Sequence, residues 1–172
     1  MLVFLIILTA CGVENKALTE QQVTNFYQMN QELLNNAAQE YKIVVKPNFE
    51  EAYIYLFFSD GNLNINDPVN KINYTTERES YKYCTDTLFA MNQYMLDIGF
   101  VQNGKDYTVS IFKYRVTQDF TADGSNKETV AFEFQDINNE KGYLLLYTTE
   151  ALSNEDFIKI DENWYVHIWE QV

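Results

Sequence analysis

Residues 157–169 of the chain are Phe-Ile-Lys-Ile-Asp-Glu-Asn-Trp-Tyr-Val-His-Ile-Trp. Two runs rich in aromatic and β-branched residues, 157–160 and 164–169, flank the polar residues 161–163, which is the pattern of a β-hairpin. Side chains alternate along a strand, so Tyr165, His167 and Trp169 are expected to share one face of the second run. The carboxyl end of the chain therefore predicts an antiparallel sheet.

The strand pattern extends back to Tyr107. Residues 107–120 are rich in Val, Ile, Tyr and Thr, and residues 130–135 alternate apolar and polar side chains, which predicts one apolar face. Residues 143–149 are apolar on both faces and are expected to form a central strand. Gly, Asn and Asp at 123–126 and 138–142 mark turns between these strands.

A long helix is predicted near the amino end of the chain. Thr19 and Gln22 have the spacing of a capping box, and Pro47 bars continuation of the helix. Apolar residues recur at helical spacing, with a break around Asn30. The members of this stripe are Val23, Phe26, Tyr27, Leu33, Leu34, Ala37, Ala38 and Tyr41.

A second helix is expected to begin near Thr76, with Glu79 as its capping-box partner, and to end at Gly99. Its apolar stripe has a spacing of three and four residues and consists of Tyr81, Cys84, Leu88, Met91, Met95 and Ile98. Residues 49–58 are ambiguous between helix and strand, and we favour helix. Residues 59–73 are predicted to be a loop because they are rich in Asn, Asp and Gly.

The fold class predicted from this order is α+β, with amino-terminal helices packed on a curved antiparallel sheet of four to five strands. This plan resembles the cystatin-like cone of the nuclear transport factor 2-like superfamily, whose final strands often have the pattern hydrophobic–Lys–Ile–Asp–polar–polar–Trp–Tyr–hydrophobic. The matching residues here are Ile158-Lys159-Ile160-Asp161-Glu162-Asn163-Trp164-Tyr165-Val166. The resemblance implies a pocket on the concave side of the sheet.

The composition excludes some classes of function. The 172 residues carry 25 acidic and 12 basic side chains, a net charge of −13, and none of these charges lies in residues 1–10. A field of that sign repels phosphate backbones and anionic lipid, so we expect no nucleic-acid partner. With 47% hydrophobic and 16% aromatic residues, the chain has enough apolar material for one well-filled core.

The amino terminus has the pattern of an export signal. Residues 2–8 form an unbroken apolar run that is far shorter than the ~20 residues needed to span a bilayer. The next residues, Leu8-Thr9-Ala10-Cys11, resemble the lipobox of bacterial lipoproteins. That resemblance implies a signal peptide at 1–10, a lipid-bearing Cys11 (diacylglyceryl and palmitate chains), a tether at 11–18 and a domain at 19–172.

The resemblance also implies an extracytoplasmic address, tethered to the cell membrane or, in a Gram-negative host, to the outer membrane, because Gly12 is not an inner-membrane retention residue. Met1 runs directly into the apolar segment without the Lys or Arg expected there, which indicates a true start upstream or a misassigned one. The alternative is a buried amino-terminal strand in which Cys11 occurs by chance.

Few residues are candidates for chemistry. His167 is the only histidine, so it is the one candidate general base, and the alternative is a surface histidine on a half-buried hairpin. Tyr165, His167 and Trp169 are the candidate ligand-binding residues. Cys84 lies on an apolar helical stripe and is expected to pack in the core. Residues 60–71 begin like a calcium loop but place Ile65 and Lys71 where Gly and Glu are required, so no metal or other cofactor is predicted.

Three functional hypotheses follow. The first is a non-enzymatic envelope lipoprotein that binds a protein or small ligand as an accessory, exclusion or inhibitor-like factor. The second is a nuclear transport factor 2-like pocket protein that holds an apolar ligand or performs acid–base chemistry through His167. The third is a structural spacer. An enzyme predicts a carboxylate within hydrogen-bond reach of His167 in a deep pocket, whereas a binding module predicts an exposed apolar patch.

Overall fold

A computed structural model describes residues 17–45, 55–59, 62–67, 72–74, 82–101, 107–121, 123–152 and 155–170. In these ranges the chain has two α-helices, eight strands and one short 3-10 helix. In chain order they are α1 (Glu20–Val45), β1 (Tyr55–Ser59), β2 (Asn62–Asp67), β3 (Ile72–Tyr74), α2 (Lys82–Asp97), β4 (Tyr107–Val116), the 3-10 helix Gln118–Phe120, β5 (Lys127–Asp136), β6 (Lys141–Tyr147), β7 (Phe157–Asp161) and β8 (Trp164–Glu170).

The strands form one open antiparallel sheet in the order β3-β2-β1-β4-β5-β6-β8-β7. Both helices pack on the same face, α1 over β5, β6 and β8 and α2 over β4 and β1. The predicted α+β class with helices on an antiparallel sheet is confirmed. The expected count of four to five strands is wrong, because three further strands, β1 to β3, lie between the helices in sequence.

Helix α1 begins where its capping box predicts. The backbone N–H of Thr19 donates to Gln22 Oε1 at 3.0 Å, and the N–H of Gln22 donates to Thr19 Oγ1 at 3.3 Å. The interruption of the stripe is real, because Asn30 has non-helical backbone angles. Its side-chain amide donates to the carbonyl of Phe26 at 3.0 Å and thereby satisfies an acceptor beside the kink. Seven of the eight stripe residues are buried, and Leu33 is half-buried.

Helix α2 ends at Gly99 as predicted. Gly99 has φ +97°, its N–H donates to the carbonyl of Leu96, and the N–H of Phe100 donates to the carbonyl of Met95, which together make a Schellman cap. The predicted start near Thr76 and the box residue Glu79 lie outside the described residues. Of the two described helices, neither is long and apolar enough to cross a membrane.

The segment between the helices contradicts two predictions. Residues 55–59 form strand β1 rather than the favoured helix, and residues 62–67 and 72–74 form strands β2 and β3 rather than a loop. The remaining residues of 49–58, and residues 60, 61 and 68–71, lie outside the described ranges. The physical reason is tertiary: β1 pairs with β4 and β2 with β1, and such pairing overrides the weak strand preference of an Asn-rich sequence.

Strand β5 is buried on both faces, which corrects the prediction of a single apolar face over 130–135. Val130, Phe132 and Phe134 face the helices, whereas Ala131 and Glu133 point to the opposite side and are also buried. A second, smaller cluster covers this opposite side, which we call the far face of the sheet. Its buried members are Val116, Ala131, Leu144, Leu146, Phe157 and Tyr165.

The entry of the chain into the domain is fixed at Leu18. This side chain is buried, its N–H donates to Asp136 Oδ2 at 3.1 Å, and its carbonyl accepts a bond from the hydroxyl of Tyr143 at 2.9 Å. The buried carboxyl group of Asp136 also accepts bonds from the backbone and side chain of Asn139 in the β5–β6 turn. Asp136 and Tyr143 therefore clamp Leu18, two residues before α1, to the end of β5 and the start of β6.

We predict that Asp136→Asn lowers the free energy of unfolding by about 1–3 kcal/mol. Asparagine has one side-chain acceptor oxygen, whereas Asp136 accepts three hydrogen bonds through two oxygens, so at least one N–H would lose its acceptor and would face the N–H groups of the new amide. Urea denaturation measures the change. The control is Asp97→Asn, which makes the same change in charge at an exposed carboxyl group and should alter the free energy by less than about 0.5 kcal/mol. Equal effects of the two substitutions would contradict the clamp.

Candidate functional site

The three predicted binding residues of the hairpin lie side by side on the far face. Tyr165, His167 and Trp169 stand opposite Leu146, Leu144 and Gly142 of β6. Their common face is as predicted, and it is the face away from the helices. The hairpin has an irregular register between Lys159 and Asp161 on β7. The structure thus brings the three residues together on one surface of the sheet.

His167 is half-buried and lies against two aromatic rings. Its imidazole stacks on Phe157 with ring centroids 4.6 Å apart and lies 6.0 Å from the ring of Tyr114. Its Nδ1 is 2.9 Å from the backbone carbonyl oxygen of Asp156. When Nδ1 donates to this carbonyl, a neutral imidazole keeps its lone pair on Nε2. This contact orients the ring through a backbone group rather than through the carboxylate that an acid–base pair would use.

The neighbours of His167 on β8 are packed rather than open. The indole of Trp169 lies against Gly142, where any Cβ atom would overlap it, so the glycine makes room for the ring. Tyr165 is buried, and its hydroxyl accepts a bond from the N–H of Leu152 at 3.4 Å. Phe120 packs edge-on against Phe157 at 5.6 Å. Side chains of the chain itself therefore fill this part of the far face.

A buried carboxylate lies farther along the same face. Glu133 on β5 is only 7% exposed, and its Oε2 accepts hydrogen bonds from Ser110 Oγ at 2.7 Å and from the Tyr55 hydroxyl at 3.1 Å. The ring of Tyr55 stacks on Phe112 at 5.3 Å. Burial, together with the negative charge of Glu133, raises the pKa of Tyr55 to about 12.

Glu133 and His167 lie in one row across the sheet. The register aligns Ser110, Glu133, Leu144 and His167 on adjacent strands β4, β5, β6 and β8. Because neighbouring strands are ~4.8 Å apart, the backbones that carry the carboxylate and the imidazole are separated by about 9–10 Å, with Leu144 between them. The two groups share a face, but the arrangement is not a paired acid and base.

An exposed groove with a mixed polar and apolar lining lies on the other side of the molecule, between the helices. It has a volume of about 370 Å³. Met29 and Leu33 on α1 and Tyr83 on α2 supply its apolar surface; its polar lining residues are Asn30, Glu32, Asn36, Lys82 and Asp86. The Met29 side chain is 65% exposed and Tyr83 is 41% exposed. We call this feature the helix groove.

The helix groove owes its shape to two local features. Asn30 interrupts α1 beside Met29 and so turns the second half of the helix away from the first. On α2, Lys82 Nζ is 2.6 Å from Asp86 Oδ2 and 5.2 Å from the ring centre of Tyr83. The hydrogen bond to Asp86 raises the pKa of Lys82. The groove therefore combines flexible apolar surface with a polar rim, which is the anatomy of a protein-binding patch.

Cys84 packs in the core, as predicted. It is fully buried, and its thiol donates to the carbonyl of Ala37 at 3.4 Å. Burial raises the pKa of the Cys84 thiol well above its ordinary value, and Glu40 contributes in the same direction. Within the described ranges, no three His, Cys, Asp or Glu side chains are grouped so that they could hold a metal ion.

Comparison with protein-family models, with curated proteins and with solved structures finds no significant match to this chain.

Two groups of residues escape prediction from sequence. Glu133 occupies the polar position of an alternating strand, which indicates a solvent-facing side chain, and only the second cluster on the far face explains its burial. Met29 falls outside the apolar stripe of α1 and so reads as an isolated surface residue. Leu33 falls within the stripe and so reads as a core residue. Neither position indicates a groove. The break in periodicity at Asn30 is the one signal in the sequence that points to this region.

We predict that the folded protein retains some phenolic protons well above pH 10. Burial raises the pKa of Tyr107, like that of Tyr55, from 10 to about 12. The contribution of these groups to the free energy of unfolding is therefore fully present below about pH 10 and is lost as the pH rises from about 10 to about 12. Absorbance of tyrosinate in the folded protein and denaturation at each pH measure the two effects.

The variant Tyr55→Phe isolates one of these groups. It should remove one ionisation step near pH 12 from the absorbance titration and leave the step of Tyr107, which is bonded to Asn92 Oδ1 at 2.8 Å. A folded protein in which all tyrosines ionise near pH 10 would contradict the buried Tyr55–Glu133 contact.

Proposed function

We propose that the chain is an exported lipoprotein that is anchored to the cell membrane or the outer membrane by lipid on Cys11, and that its domain is a non-enzymatic binding module. The lipobox Leu8-Thr9-Ala10-Cys11 supports the anchor. The observation that supports binding is the helix groove, whose Met29 and Tyr83 side chains are exposed. Such a module would serve as an accessory, exclusion or inhibitor-like factor at the envelope.

The occupant that fits the helix groove best is a protein with an apolar side chain surrounded by basic groups. The net charge of −13 attracts a basic surface over a distance and speeds its encounter with the domain. Met29 and Tyr83 then offer adaptable and aromatic contacts to the apolar side chain. At the rim, Asp86 is paired with Lys82, so Glu32 is the acidic group that the pair does not neutralise. The charged residues of the domain thus attract the partner, and the apolar residues of the groove hold it.

The anchor is tested by Cys11→Ser. This variant should leave the membrane fraction, lose incorporation of labelled fatty acid and keep residues 1–10, because the thiol is the atom that accepts the glyceride. Mass spectrometry of the amino terminus and cell fractionation give the readout. The matched control is Cys84→Ser, which removes the other cysteine and should leave the anchor intact. A native chain with residues 1–10 present and a bare Cys11 thiol would refute the proposed address.

The helix groove is tested by photo-cross-linking in cells. The protein is made with p-benzoylphenylalanine in place of Tyr83, either alone or together with the substitution Met29→Glu. Irradiation should give one discrete adduct with an envelope protein, and Met29→Glu should lower its yield at least tenfold, because a charge would enter the apolar centre. The control is Ile43→Glu, at a residue that is 71% exposed and is not among the groove residues. Its adduct yield should be unchanged. No adduct, or equal losses in both variants, would favour the structural spacer.

The second candidate function is a pocket protein of the nuclear transport factor 2-like type. The hairpin pattern at 158–166 supports it, as does the position of Glu133, Ser110 and Tyr55 on the same face as His167. In that case the far face would open to admit an apolar ligand, with Tyr165, His167 and Trp169 against it.

The two candidates respond differently to His167→Gln. If the domain is a binding module, His167→Gln should leave the cross-linking yield in the helix groove and the growth of the cells as in the wild type. The reason is that His167 lies on the opposite side of the sheet from the helices. The acid–base hypothesis predicts loss of function with an unchanged unfolding midpoint. A phenotype equal to that of a deletion would favour the second candidate.

A further inference from the structure

We propose that the end of the domain at which Leu18 is clamped is the surface that faces the membrane, with Val101 and Ile137 in contact with zwitterionic lipid headgroups. This inference depends on the proposed lipid at Cys11 and adds to it an orientation of the domain. Three observations support this orientation: the clamp at Leu18, the length of the tether, and the exposed aliphatic side chains at this end of the domain.

The clamp determines where the tether leaves the domain. Leu18 is buried and bonded to both Asp136 and Tyr143, so the tether cannot include Leu18 or any later residue. The seven Cα-to-Cα steps from Cys11 to Leu18 span at most ~25 Å when fully extended. A domain of about 150 residues has a radius of gyration of roughly 15 Å and is therefore about 40 Å across. The tether is thus too short for the opposite end to reach the lipid.

Several elements end beside Leu18. The turn at 137–140 joins β5 to β6, and Tyr107, the first residue of β4, is paired with Asp136. The last turn of α2 is held here as well, because the Tyr94 hydroxyl donates to the carbonyl of Gln22 near the start of α1. This end of the domain is therefore a surface of strand ends, turns and one helix end.

Exposed aliphatic side chains occur at this surface. Val101, just after the cap of α2, is 55% exposed, and Ile137, in the β5–β6 turn, is 36% exposed. Leu96 in the last turn of α2 is exposed to the same extent as Ile137. Isolated aliphatic side chains are common on protein surfaces. When such side chains are held within tether length of a bilayer, they can leave water for the boundary between the headgroups and the acyl chains.

The charges at this end indicate which lipid is compatible. Asp97, Glu140 and Glu170 are acidic, and Lys141 lies 3.3 Å from Glu170. Among the described residues of this surface the charge is net negative, and it would be repelled by anionic headgroups. Contact is therefore apolar and dependent on the tether, and zwitterionic headgroups are the compatible partner.

The orientation also determines the position of the helix groove. Met29 is eleven residues beyond Leu18, which is about 16 Å along a helix, and Asn36 is about 27 Å along it. The groove therefore faces solvent in the membrane-distal half of the domain. A partner can approach it without displacing lipid.

The test uses the chain from Cys11 onward, coupled through the Cys11 thiol to a maleimide lipid in phosphatidylcholine vesicles; the buried Cys84 is protected from the reagent. p-Benzoylphenylalanine replaces Val101 or Ile137, or, as matched controls, the exposed apolar residues Met29 or Ile43. After irradiation, lipid adducts are quantified by mass spectrometry, and each variant is checked for an unchanged unfolding midpoint.

We expect lipid adducts at positions 101 and 137 in at least fivefold higher yield than at 29 and 43, and a lower yield when phosphatidylglycerol is added. Equal yields at all four positions, the reverse order, or no adducts at 101 and 137 would overturn the orientation. The chemical tether makes this result independent of native lipidation. A failure of the proposed anchor would appear separately, as a bare Cys11 in the native protein.

Discussion

The hydrogen bonds that hold Leu18 to Asp136 and Tyr143 are the constraint on which the rest of the structure depends. They join residues separated by 118 and 125 positions in the chain. Through them the start of α1 is fixed to the end of β5 and the start of β6, and the apolar stripe of α1 lies over β5, β6 and β8. Because the bonded groups are buried, loss of either partner would leave a polar group without water or protein to satisfy it.

The sheet separates two kinds of surface. On the helix side, large aromatic residues fill the core: Phe26 packs on Phe134 at 5.1 Å, and Trp164 packs on Phe132 at 5.6 Å. On the far face, the two side chains best suited to acid–base chemistry are His167 and Glu133, and both pack against aromatic rings. His167 is bonded to a backbone carbonyl, and Glu133 accepts hydrogen bonds from hydroxyl groups. On the helix side, by contrast, Met29 and Tyr83 are exposed in the helix groove. This contrast supports the proposed binding module.

Local signals made the helices predictable. The capping box at Thr19, the break at Asn30 and the cap at Gly99 each depend on residues within a few positions of one another, and each appears in the structure. The carboxyl-terminal hairpin was predictable for the same reason. Strands β1 to β3 were not predictable in this way. The composition of residues 55–59 is compatible with helix or strand, and pairing with β4 decides for a strand. The Asn-rich β2 is stabilised by its neighbours β1 and β3 rather than by its own composition.

The candidate site was predictable only in part. Alternation placed Tyr165, His167 and Trp169 on one face, but it could not show that Gly142 admits the Trp169 ring or that Phe157 covers His167. Glu133 was hidden by the same rule, because alternation assigns polar residues to solvent unless a second layer covers them. The helix groove depends on how two helices separated by residues 46–81 meet, which no local pattern encodes.

Native-state hydrogen exchange at the amide of Leu18 tests the clamp most directly. If Asp136 accepts this N–H in the buried core, the amide should exchange about as slowly as those of β5, such as Phe132, and far more slowly than the amide of the exposed Ala17. Exchange of Leu18 at the rate of an unstructured peptide would show that the chain enters the domain freely. In that case neither the placement of α1 nor the orientation of the tethered domain would follow.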